Sequence, residues 1–80
     1  MKMITMVLPP DQADDVVQLL LERGQRVTRL ASTGGFLRQG RTSLIVGAEE
    51  QAVPGILEVV QQRAPGTVVL VLPLERYERY

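Results

Sequence analysis

The residues of this chain best suited to chemistry are crowded into one segment. From Arg23 to Arg41 there are five arginines (Arg23, Arg26, Arg29, Arg38 and Arg41) and no acidic residue. Thr28, Ser32, Thr33, Gly34, Gly35 and Gly40 lie among them. Guanidinium forks, hydroxyls and glycine amides that a ligand can approach closely are the parts of an anion cradle, above all for phosphate. The same composition also fits a solvated hairpin with a glycine turn, its arginines answered by helix acids across space. Spacing alone leaves both readings open. A P-loop is rejected. Gly35 to Thr42 nearly fits G-x-x-x-x-G-K-[ST], with Arg41 in place of Lys, but that loop must open a helix whose N-terminus holds the phosphates. Here Thr42 leads into Ser43-Leu44-Ile45-Val46-Gly47, which reads as a strand.

What is absent narrows the chemistry further. The chain has no His and no Cys. That removes the usual zinc ligands, the Ser-His-Asp and Cys-His nucleophile systems, and the side chain that titrates near neutrality. Carboxylates, hydroxyls, one Lys and eight Arg remain. The reading is a binding protein, not an enzyme, with no catalytic residue, metal site or cofactor assigned. Formal net charge is zero, so no global field draws the chain to nucleic acid or to a membrane. The opening Met1–Leu8 run is too short for a signal peptide, and no apolar run approaches the roughly 20 residues of a membrane span. A cytoplasmic protein is expected.

Eighty residues imply one domain, spanning 1–80. Lys2 to Leu8 is apolar and stops at Pro9-Pro10, a first strand. Asp11 is the expected N-cap of a helix with Asp14 and Asp15 in its first turn. Ala13, Val16, Val17, Leu20 and Leu21 make its apolar stripe, and Gly24 sits where a left-handed C-terminal residue belongs. Gln25 to Ser32 reads as a second strand and Thr42 to Ala48 as a third. Glu49-Glu50 opens a second helix, with Pro54 early and Val53, Ile56, Leu57 and Val60 as its stripe. Ala64-Pro65-Gly66 turns into a last strand over Thr67 to Leu72, stopped by Pro73. The order βαββαβ predicts an α+β, ferredoxin-like sandwich: two helices on one face of a four-stranded antiparallel sheet.

That architecture leaves the other sheet face bare. Yet Val68 to Leu72 is apolar without alternation, which implies cover on both sides. A domain this short buries only about 60% of its unfolded surface and has no spare element to lay there. A homo-oligomer with sheets facing each other is expected.

The run from Arg26 to Thr42 resembles the signature of the PII-like cyclic-di-AMP receptors, close to R-x-T-K-L-A-T-T-G-G-F-L-R-x-G-N-T-T. The resemblance extends to the Met1-Lys2-Met3-Ile4 opening, to Gly47 and to Val71-Leu72-Pro73, so it covers essentially the whole chain. It implies a homotrimer for signal transduction, with cyclic di-AMP or a related adenine nucleotide bound in each cleft between subunits, and an unknown downstream protein. Carried over by position, Arg26 and Thr28 would address phosphate and ribose-side oxygens. Gly35, Phe36 and Leu37 would line an adenine pocket, and Gly47 would leave room for the base. Two departures stand out. Arg41, also assigned to the ligand site, replaces the family's Asn and could instead grip a phosphate, and Gly24 stands where Asn is often found. The long insertion before the last strand is missing, closed here by Ala64-Pro65-Gly66. An alternative is therefore a trimeric interaction module that lost nucleotide binding with its loops. The tail from Glu75 to Tyr80 aligns with an aromatic family tail, and Tyr77 or Arg79 could close over the cleft.

Overall fold

The computed structural model describes residues 1–31 and 41–75, apart from the side chain of residue 31. Six main elements follow in order: β1 (Lys2–Leu8), α1 (Pro10–Glu22), β2 (Arg26–Ala31), β3 (Thr42–Ala48), α2 (Val53–Arg63) and β4 (Val69–Pro73). A 3₁₀ turn, Glu50–Ala52, leads into α2. The strands form one sheet in the order β2-β3-β1-β4, every neighbouring pair antiparallel. This is the ferredoxin-like α+β arrangement that the element order predicts.

Register divides each strand between two faces. Ile4, Met6 and Leu8 of β1 stand opposite Val46, Leu44 and Thr42 of β3, and all six are buried. The five apolar ones meet Ala13, Val16 and Leu20 from α1 and Ile56, Val59 and Val60 from α2 in one core. Successive side chains in a strand alternate sides. Met3, Thr5 and Val7, with Ser43, Ile45 and Gly47, therefore occupy the face that carries no helix.

The helix ends follow local chemistry, with corrections to the sequence reading. Pro9, not Asp11, is the N-cap of α1, and Pro10 sits in its first turn, where a missing N–H costs nothing. No side chain caps that end. At the other end Gly24 has φ +82°. Its N–H donates to the Leu21 carbonyl (3.0 Å), and Gln25 N–H donates to Leu20 (2.9 Å), the paired bonds of a Schellman turn. The stripe of α1 is also rotated from the expected one. Leu19 packs against the core and Leu21 is 56% exposed. In α2, Val59 joins Ile56 and Val60 in the core while Leu57 is half-buried. Two neighbouring apolar residues fit the period equally, and packing against the sheet chooses between them.

After α2 the chain reverses within four residues. Thr67 donates both its N–H (3.2 Å) and its hydroxyl (2.7 Å) to the Ala64 carbonyl, and Gly66 takes φ +87° behind Pro65. The Pro-Gly order suits a type II turn. β4 then runs along β1, and the apolar residues here stay open in the single chain: Val68, just before the strand, is 76% exposed and Leu70 within it 55%. Even Val71, on the helix side, retains 39% exposure. The helices leave this edge uncovered, so the two-sided burial read from Val68 to Leu72 is not made within one chain.

Candidate ligand site

The arginine-rich segment does not act as one cradle, because the strand alternation of β2 splits it. Arg29 lies on the helix side, where it pairs with Asp14 of α1. Arg23, at the end of α1, reaches the Gly55 carbonyl of α2 at 3.5 Å. The first tie joins β2 to α1, with an arginine answered by a helix acid, and the second joins α1 to α2. Arg26 and Thr28 turn the other way. They share the open face with Leu30, and all three are exposed.

On that face register brings three of the expected site residues together. Arg26 pairs with Gly47, and Thr28 with Ile45, two residues along β3. Gly47, which is half-buried, places no side chain beside Arg26. No Asp or Glu occurs in any of the four strands. Among the described residues Arg26 is therefore a cation on an acid-free, largely apolar sheet face, where an anion meets little competition.

Arg41 is elsewhere. It precedes β3, six residues before Gly47, which places it about 20 Å away at roughly 3.4 Å per strand residue. There it lines a cavity of about 250 Å³ with Val7, Pro9, Gln12, Thr67 and Val68, under the Pro65-Gly66 turn. Gln12 and Thr67 were not singled out in the sequence. Their signal is tertiary: the first turn of α1 and the turn before β4 meet Arg41 only because β1 lies between β3 and β4. A shallow groove of about 180 Å³ adjoins this cavity, walled by Thr5, Met6, Val7, Val68 and Leu70. Gly35, Phe36 and Leu37 lie outside the described residues, as do Tyr77 and Arg79 of the tail. No group of His, Cys, Asp or Glu among the described residues is arranged to hold a metal ion. No helix among them is long and apolar enough to cross a membrane.

The chain is similar to known proteins over most of its length. A crystal structure of a functionally unknown protein from Pediococcus pentosaceus ATCC 25745 superposes with a TM-score of 0.82 at 29% identity, covering 99% of this chain and 96% of that one. Residues 1–71 match the family described as cyclic-di-AMP receptor. That span holds the open-face residues, the Arg41 cavity and the first three residues of β4. The chain belongs to the cyclic-di-AMP receptor family.

Proposed function

We propose that this protein is a PII-like signal-transduction subunit that binds cyclic di-AMP or a related adenine nucleotide, without catalysis, in clefts between the subunits of a homotrimer. The observation that carries this reading is the division of the candidate site. Arg26, Thr28 and Gly47 stand at one end of the open face, and Arg41 stands about 20 Å away at the other. A ligand held by one chain alone would have to lie along the length of β3 to engage both ends. Two chains placed head to tail across the open face would bring one subunit's Arg26 end to its neighbour's Arg41 end. Such an interface closes into a ring when its rotation permits. The exposed apolar residues Leu70 and Leu72 supply the surface for that contact, because an uncovered patch of this kind marks an interaction site.

The roles follow from residue chemistry. Arg26 gives a charge-assisted contact to a phosphate, with Thr28 as a neutral donor or acceptor beside it. Gly47 admits the flat face of a base, and Gly35, Phe36 and Leu37 are assigned to the adenine pocket by their place in the family motif. The working location is the cytoplasm, and the downstream partner is a protein.

Isothermal titration of the full chain with cyclic di-AMP, ATP and AMP tests the reading. Saturable heat for cyclic di-AMP at one site per subunit is the expected result. Silence across the panel from a trimeric sample would replace it with the interaction-module alternative, which the closed Ala64–Thr67 turn favours.

A further inference from the structure

We infer that each subunit is joined to the next by main-chain pairing of its β4 edge with the neighbour's β2 edge. This rests on the proposed homotrimer and adds the joint that holds it. β4 and β2 are the outer strands of the sheet among the described residues. The Leu74 N–H donates to the Met1 carbonyl at 3.0 Å, which fixes the phase of the β1–β4 ladder. Hydrogen-bonded and non-hydrogen-bonded positions alternate along an antiparallel pair. Leu72 and Leu70, opposite Met3 and Thr5, therefore turn their backbone groups toward β1. Val69 and Val71 turn theirs away, to the side where β4 has no neighbour. Pro73 is in the same phase as these two, so its missing N–H costs the ladder nothing.

β4 is also apolar on both faces. Leu70 and Leu72 are exposed on the open face, and Val71 on the helix side. Cover on both faces takes water from the edge between them, and a buried N–H or C=O without a partner is costly. The covered edge has to pair. Two β4 edges pair about a twofold axis, which builds dimers; a ring of three needs two different edges. β2 supplies the second. It is six residues long, Arg26–Ala31, against five in β4, and no charged residue of β4 opposes its arginines. Side chains support the same joint. Leu21 lies two turns after Asp14, so both stand on the flank of α1 beside β2, where Asp14 meets Arg29. Leu21 is exposed on that flank, and Val71 is exposed at the opposite edge of the sheet. Contact through the open face leaves both in water, whereas joined edges lay them together.

Amide hydrogen exchange read by NMR, on the wild-type chain and on Leu70→Glu at single-chain mass, tests the inference. In a sample of trimer mass the Val69 and Val71 amides should exchange at least about 10-fold more slowly than in the variant. The Leu72 amide, bonded to β1, should be slow in both. A trimer whose Val69 and Val71 amides exchange as fast as those of the variant overturns the inference and leaves the proposed function standing. Val71→Pro removes only an outward N–H and should weaken association by about 2- to 12-fold for each interface, the worth of one hydrogen bond. Val71→Thr keeps that N–H and should associate like the wild type. Undiminished association of a folded Val71→Pro chain also overturns the inference; where circular dichroism shows that variant unfolded, the exchange rates decide alone. A single-chain mass for the wild type defeats the joint and the trimer together.

Discussion

Arg26 and Arg29 are three residues apart on one edge strand, and the alternation of that strand gives them opposite work. Removing the Arg26 guanidinium should cost a bound cyclic dinucleotide about 1.5–3 kcal/mol, the worth of a hydrogen bond to a charged group, read as weaker affinity by calorimetry. Arg29→Ala should leave affinity unchanged, because that side chain meets Asp14 on the far side of the sheet. Its effect should appear in chemical denaturation as about 0.2–1 kcal/mol of lost stability, since both partners are well exposed. Equal losses of affinity for both variants would mean that the open face is not the ligand face. The sequence presented Arg23, Arg26, Arg29 and Arg41 as equivalent members of one cluster. Only the register of β2 against β3, and the packing of α1 beneath them, sort these four into ties and contacts.

Among the elements, α1 and its exit set the position of β2 and hence of Arg26. The Schellman turn depends on a left-handed residue at position 24, where an added Cβ meets nothing within 4 Å. Strain is then the whole cost of a substitution. Gly24→Ala should destabilise by about 1–2 kcal/mol in urea denaturation, whereas Gly24→Asn should cost clearly less, since Asn adopts this conformation more readily. Comparable losses would place the penalty in packing instead. This turn was legible from Gly24 standing just past an apolar stripe. The start of α1 was misread, because Asp11 is a good cap by type while Pro9-Pro10 fixes the backbone one turn-position earlier. The face of α1 was legible only to within one residue: Leu19 and Leu21 flank Leu20 symmetrically, and the sheet decides which one is buried.

At the scale of the whole molecule, the sheet face without helices is the surface that the proposed trimer would bury. Leu70 is 55% exposed in the single chain, so Leu70→Glu should fold normally yet disrupt association. Light scattering should then give a trimer mass for the wild type and a single-chain mass for the variant; a single-chain mass for both would remove the homotrimer. Subunit mixing tests whether a site is shared. Arg26→Ala and Arg41→Ala chains, each weakened alone, should recover about a quarter of the wild-type sites when unfolded and refolded together at equal amounts, because a head-to-tail interface can unite the intact half of each. No recovery would put both arginines in one chain's site. The sequence by itself determined the βαββαβ order, the exclusion of His- and Cys-based chemistry, and the gathering of five arginines without an acid over residues 23–41. These follow from local periodicity and residue type, which need no knowledge of distant neighbours. Tertiary structure alone decided that Arg26 faces Gly47, that Arg29 is taken by Asp14, and that Arg41 meets Gln12 and Thr67. Those pairings join residues far apart in the chain, and the sheet order that unites them is written in no single segment.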